Sequence, residues 1–142
     1  MNFNKLIPEL SVSNFDVSLK FYTSVLGFKI EYQREEQKKF AFLSYQGSQI
    51  MIEEYLGDSN SPWNTGKLEY PFGRGINFQK DVDDIEPIVE SLVQNNYPIK
   101  MLPEENWYRR ENELLGNKEF LIVDPDGYLL RFSQDIGFKS LE

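Results

Sequence analysis

Apolar and polar residues alternate from Leu6 to Val12: Leu6, Pro8, Leu10 and Val12 fall on one side, Ile7, Glu9 and Ser11 on the other. A period of two predicts a half-buried strand, and Pro8, with no N–H for a ladder, places it at an edge or a strand start. The period then changes. Ser13-Asn14-Phe15-Asp16 reads as a helix N-cap with an acid in the first turn, and Phe15, Leu19, Tyr22 and Leu26 recur at helical spacing. Gly27 stands where a C-cap glycine belongs. Phe28 to Tyr32 alternates again, Arg34 to Lys39 is a charged turn, and Phe40–Tyr45 with Gln49–Tyr55 predicts a hairpin about Gln46-Gly47-Ser48.

The stretch from Gly57 to Lys67, rich in Gly, Ser, Asn and Pro, predicts a connecting loop that contains Trp63. Beyond it the plan repeats. Arg74 to Lys80 predicts a strand. Val82-Asp83-Asp84-Ile85 opens a helix whose buried stripe is Ile85, Ile88, Val89, Leu92 and Val93, with Pro87 in its first turn and Asn95-Asn96 at its end. Ile99–Leu102, Lys118–Val123 and Tyr128–Phe132 supply three more strands, the last two joined by Asp124-Pro125-Asp126-Gly127, a strong hairpin signal. Strand, helix and three strands therefore occur twice.

With 142 residues the chain has room for one ordinary domain with its own core, and 40% hydrophobic with 27% charged residues fits a globular protein. Fifteen Lys plus Arg against 23 Asp plus Glu leave a net charge of -8. That field repels phosphate backbones and anionic membrane surfaces, so neither nucleic acid nor membrane is expected as a partner, and it suits a cationic ligand. Cysteine is absent, which excludes disulfides, thiolate nucleophiles and zinc–thiolate sites. Histidine is absent too, removing the usual general base near neutral pH and the commonest transition-metal ligand. No apolar run in Met1–Leu10 makes a signal peptide and none elsewhere reaches the ~20 residues of a membrane-spanning helix, so a cytoplasmic protein is expected.

Val12-Ser13-Asn14 leading into Phe21-Tyr22 and Leu26-Gly27-Phe28, then Val82-Asp83-Asp84 and Asp124-Pro125-Asp126-Gly127-Tyr128-Leu129-Leu130, together resemble the vicinal oxygen chelate superfamily. This is the glyoxalase, bleomycin-resistance and extradiol dioxygenase group, and the resemblance spans Leu6 to Gln134. It implies an α+β fold of two βαβββ modules, about residues 6–56 and 74–134 of a single domain over 1–142, with curved, cupped mixed sheets and the helices outside. Enzymes of the superfamily hold a divalent metal with four side chains, usually His and Glu. Carried over by position, those ligands fall at Ile7, Glu53, Gly75 or Asn77, and Arg131, so no metal, no other cofactor and no catalytic residue is expected. A cation in the fourth position repels a divalent ion by several kcal/mol at close range, an estimate of about 4 kcal/mol per unit-charge pair near a protein surface.

What remains is similar to the bleomycin-resistance subgroup, which binds its antibiotic without chemistry. The implied function is sequestration of a bleomycin-type, cationic, aromatic-bearing glycopeptide antibiotic in an aromatic crevice at a homodimer interface. Pro8 matches a proline that accompanies an exchanged N-terminal strand in such dimers. By the same resemblance Tyr32, Phe40 and Trp63 line the groove, and Leu115-Gly116 stands for a Trp-Gly segment that contacts the drug, Leu115 being a departure for which Trp107 and Tyr108 compensate. Alternation itself puts Glu9, Ser11, Met51, Glu53, Asn77, Gln79 and Arg131 opposite the helix-packing residues. Arg131 either pairs with Glu53 or Glu9 or holds a ligand carboxylate or phosphate. Phe21, Tyr22, Phe78, Phe120 and Phe132 are assigned to core or helix packing, and Trp107-Tyr108-Arg109-Arg110-Glu111 to a loop. Two alternatives stay open: a metal-dependent lyase or dioxygenase of the same superfamily, and a binding module for another small metabolite.

Overall fold

The structure is a computed structural model and describes residues 1–57 and 60–142; Asp58 and Ser59 of the predicted connecting loop lie outside the described residues. The chain divides into two compact units, Met1–Arg74 with Asp124–Tyr128, and Gly75–Val123 with Leu129–Glu142. Each unit is built on one four-stranded mixed sheet and one helical segment, which is the expected α+β repeat of βαβββ.

In the first unit β1 (Glu9–Val12), β2 (Lys29–Arg34), β3 (Phe40–Tyr45) and β4 (Ser48–Glu54) stand in the order β1-β4-β3-β2. β1 runs parallel to β4, with Glu9 opposite Met51 and Ser11 opposite Glu53. It is an edge strand and starts one residue after Pro8, whose carbonyl accepts from the Met51 N–H at 2.9 Å. The predicted strand began at Leu6, but that residue is exposed and no ladder reaches it. Helix α1 (Phe15–Lys20) opens on Asn14, whose side-chain oxygen accepts from the Val17 N–H at 3.2 Å. The helix does not continue regularly to Leu26. Phe21–Val25 forms a π-helical turn, the Leu26 N–H reaching back to the Phe21 carbonyl, and the widened turn leaves both Phe21 and Tyr22 buried.

The second unit carries β5 (Asn77–Asp81), helix α2 (Glu86–Gln94), β6 (Met101–Arg110), β7 (Glu113–Val123) and β8 (Leu129–Ser140), with strand order β5-β8-β7-β6. Ile85, Ile88 and Leu92 are buried as the helical period predicts. Val93 is 62% exposed, because it lies about a quarter turn from the middle of that stripe. Phe120, Ile122, Leu130 and Phe132 form the apolar face of the sheet, and Phe120 stacks on Phe132 at 5.2 Å. Burying one such side chain contributes about 1.5–3 kcal/mol. β6, β7 and β8 all run well past their predicted ends, and Trp107 to Arg110 is strand rather than loop. Glu104–Arg110 sits at the sheet edge and is mostly exposed, so its sequence carries no alternation to read.

Candidate functional site

Cross-strand register collects the chemistry of the first unit on the sheet face opposite Leu10, Ala41, Leu43 and Ile52. Glu9, Ser11, Met51, Glu53, Phe40, Tyr32 and Arg34 share that face, because Phe40 pairs with both Glu53 and Arg34. A bulge between Ile30 and Tyr32 realigns β2, so Tyr32 and Arg34 are set beside Phe42 and Phe40. The Tyr32 and Phe40 rings are 6.1 Å apart, and the Arg34 guanidinium lies 5.3 Å from the Phe40 ring centre. Glu53 is bonded on both oxygens, by Lys38 Nζ at 3.0 Å and Arg34 at 3.2 Å. Glu53 thus takes its partners from the charged turn. Glu9 makes no ion pair among the described residues, and its carboxyl is held above the usual range by burial and then by repulsion from Glu53, with Lys38 and Arg34 opposing.

These groups wall a cleft of about 460 Å³ lined by Glu9, Arg34, Lys38, Glu53, Leu56, Ser61, Trp63 and Asn64. The size is that of a small-molecule site. Trp63, 77% exposed, offers its ring to whatever enters. The floor is fixed from below. Tyr128 donates to the Ser11 carbonyl at 2.9 Å, Tyr22 donates to Asp124 at 2.6 Å, and the N–H groups of Asp126 and Tyr128 donate to the same aspartate at 2.9 Å. Burial raises the Asp124 carboxyl above its ordinary range, against these hydrogen bonds, and pushes the Tyr128 hydroxyl up to about 12. The Asp-Pro-Asp-Gly turn is therefore a buried brace as well as a hairpin connection.

In the second unit the predicted residues divide between two faces. Tyr108, Leu115 and Arg131 share one with Asn117, Glu119 and Ser133. Glu119 is 7% exposed and accepts from the Tyr108 hydroxyl and the Asn106 and Asn117 amides, each at 3.4 Å. Trp107 and Gly116 lie opposite each other on the other face. A Cβ on Gly116 would come within 2.5 Å of the Trp107 ring, so only glycine admits that close approach. Lys139 Nζ covers the ring at 3.9 Å. Trp107 is thus packed on its own hairpin under a cation and does not join Tyr108.

Of the residues singled out in the sequence, Tyr32, Phe40, Glu53 and Trp63 lie in the first unit, Glu53 and Trp63 on the cleft itself, while Arg34 and Lys38, which also line it, were not singled out. Their position between two strands was visible as a charged turn, but the pairing partner was not. Glu119 and Asn117 were not singled out either, though the polar interruption Gly116-Asn117-Lys118-Glu119 inside an apolar strand marks them.

Two four-stranded sheets, each with its helix and each carrying a polar face, define the paired βαβββ architecture of the vicinal oxygen chelate type. The family model described as "Glyoxalase/Bleomycin resistance protein/Dioxygenase superfamily" matches residues 6–132, and the chain belongs to that superfamily. It is 26% identical over 93% of its length to "Glyoxalase domain-containing protein 4" of Rattus norvegicus, covering 41% of that protein. It is 31% identical over 82% of its length to "Probable lactoylglutathione lyase, chloroplastic" of Arabidopsis thaliana, covering 31% of that one. The chain thus spans less than half the length of either relative. The solved structure of TioX from Micromonospora sp. ML1 shares the fold, with TM-score 0.69 at 15% identity, over 94% of this chain and all of the other.

The metal of the superfamily's enzymes does not fit the residues present. Of the corresponding positions, Ile7 has no donor atom, Arg131 is a cation, and Glu53 already has both oxygens on cations. Among the described residues no three acidic, histidine or cysteine side chains are grouped to hold an ion. No helix among them is long and apolar enough to cross a membrane.

Proposed function

We propose that this protein is a non-catalytic, cytoplasmic binding protein that sequesters a cationic, aromatic-bearing antibiotic of the bleomycin type, and that it works as a homodimer. The observation that carries this reading is the cleft of the first unit, where Glu9, without an ion pair among the described residues, and the exposed Trp63 ring stand together. A cation is drawn to the carboxylate, and a planar ring stacks on the indole. Lys38 and Arg34 hold Glu53 in place, so Glu9 is the acid left for the ligand. In the dimer, the open side of edge strand β1 takes the exchange expected at Pro8.

A lyase reading draws on the name of the Arabidopsis relative, and it requires an ion that this donor set does not suit. Calorimetric titration of the purified, metal-analysed protein with metal-free and copper-loaded bleomycin separates the two. Saturable binding near one drug per chain, with the drug recovered intact and binding weakened in Trp63→Ala and Glu9→Gln, is the expected result. Absence of heat and of thermal stabilisation by the drug removes the sequestration reading, and a stoichiometric divalent ion in the purified protein favours the lyase.

A further inference from the structure

Strand β6 is the outer edge of the second sheet. It pairs with β7 on one side, and no strand among the described residues pairs with the other. Such an edge offers a row of N–H and C=O groups to an incoming strand. The pairing with β7 is regular from Glu104 to Arg110, and that run is bounded alike at both ends. Pro103, which has no N–H, lies in the bulge before Glu104, and Glu111, at φ +54°, turns the chain away after Arg110. Trp107 stands midway between the two.

The charges in the run are ordered about the same residue. Glu104-Glu105 precede Asn106-Trp107-Tyr108, and Arg109-Arg110 follow. Both glutamates, Tyr108 and both arginines are exposed. Glu104, Glu105 and Arg109 make no ion pair among the described residues, and Arg110, bonded to Glu113 at 2.8 Å, keeps a side chain 68% exposed. Charges along an edge ordinarily ward off a second strand. In this order they ward off a parallel copy, which would set glutamate on glutamate and arginine on arginine. An antiparallel copy related by a two-fold axis at Trp107 meets the opposite arrangement. Glu104 then faces Arg110 of the second copy and Glu105 faces Arg109 of the second copy, and symmetry makes each pair twice.

Backbone phase agrees with that axis. Alternate residues of an edge strand turn their N–H and C=O outward, and an axis through a residue pairs positions of like parity, so outward groups meet outward groups. An axis between two residues sets outward groups against inward ones. An axis moved to Asn106 or Tyr108 keeps the phase but brings no glutamate opposite an arginine.

We propose that β6 is a self-association edge, across which two copies of this chain pair antiparallel over Glu104–Arg110 and join their second sheets into one. The surface lies wholly in the second unit, is separate from edge strand β1, and does not rest on the reading of the cleft.

The test is sedimentation velocity of the full-length protein from about 1 μM to about 1 mM, a range set by a paired edge that buries less than a standard interface. Salt is added to screen the net charge of -8 on each copy. Mass should double within that range, whether from one chain or from a pair held at β1. Arg109→Glu and Glu105→Arg each turn half of the attractive pairs repulsive, so in either variant the dissociation constant of the doubling should rise about tenfold or more. Mixed in equal amounts, the two variants restore opposite charges across the axis, and the doubling should return. An association made through β1 is blind to both reversals. Hydrogen exchange of the wild-type protein needs no variant: the amides of every second residue from Glu104 to Arg110 should slow as concentration rises. No doubling in that range, a dissociation constant unchanged in both single variants, or no recovery on mixing would each overturn the edge pairing. So would β6 amides already protected to the same degree in dilute protein, since the edge would then be covered within one chain.

Discussion

On the first sheet Glu53 is met by two cations, Lys38 at 3.0 Å and Arg34 at 3.2 Å, both partly open to water. On the second, Glu119 is buried among three neutral donors, and the Nε of Arg131 has no partner among the described residues. A carboxylate held by solvated cations can exchange them for a ligand at small cost, since such pairs contribute about 0–1 kcal/mol. A buried carboxylate held by fixed dipoles cannot exchange them, because each lost acceptor leaves a donor dry at about 1–3 kcal/mol. One polar face is thus adjustable and the other preorganised, although both grew from the same strand–helix–strand plan.

The hardest way to break the comparison is to remove the support beneath one side of it. Phe120 is fully buried in the second unit, and Phe120→Ala should cost about 3–5 kcal/mol in denaturant unfolding. Signals of Glu119 and Tyr108 should be lost with it. The contrast between the carboxylates is tested directly by paired variants. Glu119→Gln should cost about 1–3 kcal/mol with little dependence on salt, and Glu53→Gln less than about 1 kcal/mol, shrinking as salt is added. Equal costs, or equal salt dependence, would end the distinction.

Lys80 sharpens it from the other face of the second sheet. Burial pulls its ammonium down to about 8. Between that value and the 10.5 of an ordinary lysine, the unfolded chain keeps a proton that the folded protein has released. Unfolding takes up a proton there, so the contribution of this group rises with pH and is lost as pH falls through about 8. The stability gap between Lys80→Met and wild type should therefore narrow by on the order of 2 kcal/mol from pH 7 to 10. A constant gap would mean that the ammonium is not desolvated. The smallest effect belongs to Trp63→Ala, which should leave stability within about 0.5 kcal/mol, as for an exposed side chain, while weakening drug binding.

The sequence made both modules legible because their strands bury one face and their helices one stripe. Leu10, Val12, Ala41, Leu43 and Ile52 obey that rule and are buried. It failed where burial does not dictate residue type. The outer halves of β6, β7 and β8 are exposed, and Trp107 to Arg110 looked like a loop because hydrogen bonds along a ladder leave no trace in composition. Helix α1 was found and its π-helical end was not, since one widened turn does not alter an apolar spacing of three or four. In the site, the aromatics and Glu53 were recognisable by chemical type. The cations that hold Glu53 depended on a bulge at Glu31, which carries no signature in the sequence.

One residue of β8 has consequences for how this chain can change by descent. Gly137, at φ +99°, sits at the slip in the β7–β8 register, where Gly116 faces residue 137 but Asn117 faces 135. Every residue beyond it is switched to the opposite side of the ribbon, which is what brings Lys139 above Trp107. Deleting that one codon would let Ile136 face Gly116 and leave Phe138 and Lys139 opposite Leu115 and Leu114. The end of β8 can thus lose its bulge in one mutational step while the lysine keeps its place over Trp107.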